Sequence, residues 1–393
     1  MIDYNKALSE KVKKMKPSGI RKFFDIAATK KDVISLGVGE PDFSTPWSIR
    51  KTAVNTLERK KIIYGANKGI EPLRDAICTY INKKYGVQYN SDDEIIVTVG
   101  GSEAIDLAIR ALVDVGDEVL VVEPSFVCYA PLVELAGGVA VSVPTKIENN
   151  FKLTPEDLEG KITEKTKLLI LPFPNNPTGA VMTKEDLEKI ADVLRDTNVI
   201  VLSDEIYSEL TYGRKHYSII QIDGMRERTI YVNGFSKAYA MTGWRLGYLT
   251  APKEIVSQLV KIHQYGIMCS PFISQNAAIE ALNSCDNEVK KMVEEYDTRR
   301  RFLVKEFNRI GLECFNPEGA FYVFPCIKST GLSSETFCER LLDEKNVACV
   351  PGNAFGESGE GFIRISYAYS LKHLTEAVSR IEEFVNDIKA EKK

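Results

Sequence analysis

The sequence predicts an α/β fold: a seven-stranded, mostly parallel sheet covered by helices on both faces, followed by a smaller α+β domain. Three observations predict it. Seven short, β-branched runs lie between residues 94 and 252. Helical patterns separate several of them, and strand–helix–strand alternation implies parallel strands. After residue 285 the alternation gives way to one long charged helix and then short apolar runs.

The seven runs are EIIVTVG (94–100), EVLVVEP (118–124), VAVSVP (139–144), KLLILPFP (167–174), VIVLSDE (199–205), TIYVNGFS (229–236) and RLGYLTAP (245–252). Several are apolar at nearly every position, as strands buried on both faces must be. Between the first two, Ile105, Ala108, Ile109 and Leu112 recur at helical spacing, and Gly116 follows as a stop signal. Before the fifth run, Thr183 with Asp186 three residues on forms a capping-box pattern. Beyond 285 a charged helix is expected over roughly 287–310, then FYVFPCI (321–327), a helix near 334–345, VACVPG (347–352) and FIRISYA (362–368). Leu374, Val378, Ile381, Val385 and Ile388 form the apolar stripe of a final helix. The expected division is an N-terminal arm with part of the small domain over 1–45, a large domain over 46–286, and a small domain over 287–393.

Composition excludes several function classes. The 393 residues carry 51 Lys+Arg against 55 Asp+Glu, a net charge of −4 that offers no footprint for nucleic acid or an anionic membrane. No apolar stretch is long enough for a membrane span, and the first residues lack the apolar region of a secretory signal. The 8 cysteines are scattered without a CxxC pair, which suggests reduced thiols and a cytoplasmic protein. With only 3 histidines, none in a ligating pattern, and no GxSxG, neither a metal site nor a Ser-His-Asp hydrolase is expected. Gly37-Val-Gly39 begins like a dinucleotide fingerprint, but the third glycine is missing and Pro41 stands where a helix should start.

The chemistry-bearing residues fall at strand ends, where parallel sheets hold ligands. Ser236-Lys237, with Arg245 eight residues on, follows the 229–234 run. Alone, Lys237 would read as a surface lysine in a turn; beside a hydroxyl and a guanidinium it reads as a Schiff-base lysine with phosphate anchors. Gly100-Gly101-Ser102 opens a helix and combines backbone N–H groups, the helix dipole and a hydroxyl into an anion site, or else simply a capped turn. In PNNPTG (174–179) a stiff loop presents Asn176. Asp204 closes an apolar run, with Tyr207 three residues on; a buried carboxylate needs a partner, and a pyridinium nitrogen would suit it as well as a helix N-cap role would. Arg364 lies inside the FIRIS run, where a bidentate grip on a carboxylate or an interdomain ion pair would account for it.

Together with SLGVGEPDF (35–43), YGANKGIEPLR (64–74) and GAFYVFP (319–325), these segments resemble the class I/II aminotransferases, fold-type I enzymes dependent on pyridoxal 5′-phosphate (PLP), and most closely the prokaryotic aspartate/aromatic branch. The resemblance runs over nearly the whole chain in the family's order. It implies that Lys237 forms the internal aldimine and serves as base, that Asp204 meets the pyridine nitrogen, and that Tyr207 and Asn176 meet the phenolic oxygen. It implies a phosphate cup of Gly101, Ser102, Ser236 and Arg245, with Tyr64 reaching the phosphate of a neighbouring subunit in a homodimer with shared sites. Phe126 takes the ring-stacking position, where many relatives have Trp or Tyr; Arg364 binds the substrate α-carboxylate, and Gly39 and Asn176 line the same end of the pocket. The implied reaction is ping-pong: an α-amino acid yields a 2-oxo acid and pyridoxamine phosphate, and a second oxo acid such as 2-oxoglutarate reverses the sequence. Some prokaryotic aspartate aminotransferases carry Lys where Ser102 stands, so the implied donor is aspartate, an aromatic amino acid or a broad range. The apolar and basic stretch Ile20-Arg21-Lys22-Phe23-Phe24 is expected at the substrate entrance. Two alternatives share the scaffold: a PLP-dependent β-lyase, and a non-catalytic PLP-sensing regulator, for whose DNA-binding extension the residues before 35 leave no room.

Overall fold

The computed structural model describes residues 2–15, 17, 19 and 32–392. Its main sheet has seven strands in the spatial order 95–98, 247–250, 229–234, 200–204, 166–171, 118–123, 139–144. Six of them run in one direction. Only Gly247–Thr250 runs against its neighbours, antiparallel to both the 95–98 and the 229–234 strands. Every predicted run became a strand, because β-branched and long aliphatic side chains fill a pleated surface on both sides.

The two faces can be read from alternate residues. Leu168, Ile170, Leu202, Ile230 and Leu249 point to one side, where the helices Gly101–Leu112 and Lys253–Gly266 cover them with Leu107, Ala108, Val256 and Leu259. Leu169, Leu171 and Val201 point to the other, against Leu187, Ile190 and Leu194 of helix Lys184–Leu194. That helix starts as the sequence predicts: Thr183 accepts from the Asp186 N–H, and Asp186 accepts from the Thr183 N–H at 2.9 Å. On the same side, helices Glu71–Tyr85 and Phe272–Ser284 pack Ile77, Ile81, Ala277 and Ala281 with Val97, Tyr231 and Tyr248.

The remaining elements form two small sheets. Tyr322–Val323, Ile363–Ser366 and Val350–Pro351 make an antiparallel three-stranded sheet with the 363–366 strand in the centre. Ile34–Ser35 pairs in parallel with Val347–Ala348. Among the described residues of the N-terminal arm, Tyr4–Ala7 is a short helix capped by Asp3 and Glu10–Lys14 a short helix preceded by Ser9. Helices Asp286–Ile310, Ser334–Lys345 and Leu371–Glu391 complete the chain, the last burying all five residues of its predicted stripe. None of the described helices is long and apolar enough to cross a membrane.

The consequence for function lies at one edge of the main sheet. The six co-directional strands all end there, and the antiparallel strand begins there. Turns separated by more than 130 residues of sequence, from Gly100 to Arg245, therefore meet along one rim.

Candidate active site

A cavity of about 530 Å³ opens at that rim, within the range of small-molecule sites. Five of the six co-directional strand ends, and the start of the antiparallel strand, contribute to it. Gly101 and Ser102 come from the turn after strand 95–98, Phe126 and Tyr129 from the segment after 118–123, and Pro174 and Asn176 from the loop after 166–171. Asp204 and Tyr207 follow from strand 200–204, Ser236 and Lys237 from the turn after 229–234, and Arg245 from just before Gly247. Gly39 and Glu40 close it from the N-terminal loop, and Tyr322 and Arg364 from the three-stranded sheet. All but one of the residues singled out from the sequence are thus gathered in one place. The exception is Tyr64, which is 80% exposed and takes no part in this cavity. The stretch Ile20–Phe24 lies outside the described residues.

The end of the cavity beside Arg245 is built by close backbone approach. Gly100 has φ +79°, and a Cβ there would lie 2.8 Å from Arg245 Nη2. Only glycine allows both the left-handed turn and the guanidinium beside it. The helix Gly101–Leu112 starts at this point, so its free N–H groups and positive dipole end face the cavity. Glu103, in the first turn, accepts from the Val99 N–H at 2.5 Å and pairs with buried His263 at 2.6 Å, which fixes the turn against helix Lys253–Gly266. Sequence reasoning had given Glu103 and His263 no part in the site.

The centre of the cavity holds buried charge. Lys237 Nζ donates to the Gly39 carbonyl at 2.6 Å. Burial lowers its pKa to about 8; the nearby charges of Arg364 and Arg245 push the same way, while Glu40 and Asp204 oppose. Asp204 accepts from Tyr129 Oη at 2.7 Å and from the Ile206 N–H at 3.2 Å. Burial still raises its pKa, against the pull of those two donors and of Lys237. Tyr207 shares a 2.8 Å hydrogen bond with Tyr322 Oη; burial and the neighbouring phenol push Tyr207's pKa up, so it remains a hydroxyl.

Arg364 is 2% exposed and makes no ion pair with a carboxylate among the described residues. Its Nη1 donates to Asn176 Oδ1 at 2.9 Å and its Nη2 to the Gly37 carbonyl. Its Nε has no partner, and the guanidinium lies 4.5 Å from the centre of the Tyr322 ring. Among the described residues no carboxylate forms the interdomain ion pair that is the alternative explanation. A buried cation with an unused donor is suited to a carboxylate brought from outside.

Tyr129, Tyr322, Glu40 and Asp42 escaped sequence reasoning. Tyr129 could have been found, since it stands three residues after Phe126 beyond a strand end. Tyr322 depends on the pairing of the 322–323 and 363–366 strands, which sequence periodicity does not reveal. Its hydroxyl fits only because residue 39 is glycine: a Cβ there would lie 2.5 Å from it. Asp42 accepts two hydrogen bonds from Arg299 Nη1, at 2.9 and 2.8 Å, and so ties the 37–43 loop to helix Asp286–Ile310.

Comparison with known proteins agrees with this geometry. The family model described as aminotransferase class I and II matches residues 31–381. An aspartate aminotransferase of Pyrococcus abyssi is 48% identical, over 98% of this chain and 99% of its own. An aromatic-amino-acid aminotransferase of Thermococcus litoralis is 45% identical, again over 98% and 99%. The crystal structure of an aromatic aminotransferase from Pyrococcus horikoshii superposes with a TM-score of 0.90 at 46% identity, covering 93% of this chain and 99% of that one.

The lowered pKa of Lys237 has a measurable sign. Burial disfavours the ammonium, so the neutral, reactive amine should accumulate as pH rises through about 8. In cofactor-free protein, the rate of labelling of Lys237 by a small acylating reagent, mapped by mass spectrometry, should reach half its maximum near that pH; a midpoint near 10.4, the value of an exposed lysine, would contradict the desolvated site. The chain belongs to the class I and II aminotransferases.

Proposed function

We propose that this aminotransferase holds PLP in the cavity and moves an amino group from an α-amino acid to a 2-oxo acid such as 2-oxoglutarate. The observation that carries the proposal is the meeting of a desolvated lysine, a buried carboxylate held by two hydrogen bonds, and a buried guanidinium whose Nε is unused among the described residues, in one 530 Å³ cavity. The residues present fit the cofactor. Gly101 and Ser102 at the helix start, with Ser236 and Arg245, would hold its phosphate. Asp204 would face its ring nitrogen, Tyr207 and Asn176 its phenolic oxygen, and Phe126 one face of its ring. Asn176 spends its carbonyl on Arg364, which leaves its NH₂ free to donate.

PLP, when bound, supplies the electron sink that stabilises charge left on the substrate's Cα, and it carries the amino group between the two half-reactions. The chain supplies the rest. Lys237 Nζ takes the Cα proton in one half-reaction and returns a proton to Cα in the other, and a pKa of about 8 suits both directions near neutral pH. Arg364 binds the α-carboxylate through its fork, with the Tyr322 ring 4.5 Å away as a neighbour. Asp204, kept anionic, favours a protonated ring nitrogen.

A homodimer with shared sites accounts for Tyr64. It stands exposed beside Ile62 and Ile63, and Asn67 ties the same loop to exposed Met268 through a 2.8 Å hydrogen bond to its carbonyl. A second copy covering this apolar face would bring each Tyr64 to the other's phosphate end. All 8 cysteines are free thiols, which supports a reducing, cytoplasmic setting. The names of the relatives supply both aspartate and aromatic donors, so a donor panel against 2-oxoglutarate decides between a narrow and a broad range.

Purified protein given PLP should absorb in the visible, and borohydride should abolish the band and leave the cofactor's mass on Lys237; an adduct on another lysine would overturn the assignment. Arg364→Lys should keep that band yet lower kcat/KM for every α-amino acid tested, by roughly 30- to several-thousand-fold, because one partner of a desolvated charge pair loses its fork. A loss confined to dicarboxylic donors would make Arg364 a side-chain reader instead.

A further inference from the structure

We propose that Tyr129 is a positioning residue whose hydroxyl holds the Asp204 carboxylate, as the anion, toward the ring nitrogen of the cofactor. The inference rests on the PLP reading above and adds a residue that the sequence motifs leave without a role.

The geometry carries it. Tyr129 opens the helix Tyr129–Ala136, beyond the end of strand 118–123, and is 2% exposed. Its hydroxyl donates to Asp204 Oδ2 at 2.7 Å, while the Ile206 N–H donates to Oδ1 at 3.2 Å. The backbone donor is local to Asp204, two residues along the chain. Used alone, it would leave the second oxygen without a donor from the protein among the described residues. The phenol comes from 75 residues away, on another element, and engages that second oxygen. Two donors of separate origin fix both the plane and the direction of the carboxylate. They occupy two of its roughly four lone-pair positions and leave the others for a cation.

The hydroxyl is also the right donor. Burial first, and the charge of Asp204 second, push its pKa well up, so Tyr129 gives a hydrogen bond and takes no charge of its own. A phenol–carboxylate bond is charge-assisted and short, and stabilises the ionised acid. Against it stands a packing role: the Tyr129 ring meets Phe126 edge-on, at 6.1 Å and 82°. Phenylalanine at 129 would keep that contact and remove only the hydroxyl.

The test measures cofactor affinity of the cofactor-free protein by fluorescence titration, with PLP and with its 1-deaza analogue, whose ring carries carbon in place of nitrogen. Hydrogen bonds to charged groups are worth about 1.5–3 kcal/mol, so Tyr129→Phe should weaken PLP binding roughly 10- to 100-fold and the deaza analogue by less than about 3-fold. In an Asp204→Asn background the same substitution should cost little with PLP, because the charge through which it acts is gone. An equal loss with both ligands would make Tyr129 a packing residue, and no loss with PLP would leave its hydroxyl without effect; either overturns the proposal. Wild-type protein that binds neither ligand would instead overturn the PLP reading, and this inference with it.

Discussion

The structure turns on the burial of three ionisable groups, Lys237, Asp204 and Arg364, in one cavity, held by hydrogen bonds and, among the described residues, without an ion pair to any of them. Each pays a desolvation cost, and each shows it in the same sense: the lysine and the arginine hold their protons less tightly, and the aspartate more tightly. Attraction between Lys237 and Asp204 offsets part of this but does not reverse it. Buried charges are expensive unless paired, so a fold keeps an incomplete set only where another molecule completes it. An anionic phosphate, a protonated ring nitrogen and a substrate carboxylate would complete this one.

Holding such groups in place takes rigid support from elements distant in sequence. The main sheet does most of it by bringing six strand ends to one edge, so that Gly101, Phe126, Asn176, Asp204 and Lys237 converge without any of them being near another in sequence. The antiparallel 247–250 strand brings Arg245 to the same edge from the opposite direction. The three-stranded sheet adds Arg364 and Tyr322. Arg364 in turn reaches across to Asn176 and Gly37, and Arg299 holds Asp42. The Arg364 end, proposed to hold the substrate carboxylate, is thus assembled from contacts between separate sheets, so a shift between them would alter it before it altered the Arg245 end.

Much of this was legible in the sequence because the governing signals are local. Apolar β-branched runs such as VIVLS mark strands buried on both faces, and the chemistry follows them at their carboxyl ends. Arg364 was legible as a charge out of place in an apolar run. What escaped depends on relations between elements. Nothing near Tyr129 says that its hydroxyl meets Asp204, since that contact needs the 118–123 and 200–204 strands to lie two places apart in the sheet. Tyr322 and Arg299 likewise act through pairings that no spacing encodes. Tyr64 shows the opposite limit: its motif is plain, but within one chain it reaches nothing in the cavity.

The burial of Lys237, Asp204 and Arg364 together points to a ligand, and not the fold, as what retains this charge. Asp204→Asn is the variant to make, because the amide keeps the shape, its oxygen can still accept from the Ile206 N–H and its NH₂ can donate to the Tyr129 oxygen, while the charge is lost. The measurement is the thermal midpoint of wild type and variant, each with and without PLP. The account predicts a cofactor-free variant at least as stable as wild type, and a much smaller rise in midpoint when PLP is added. A cofactor-free variant clearly less stable than wild type, with the full rise on adding PLP, would contradict it and make Asp204 a structural residue.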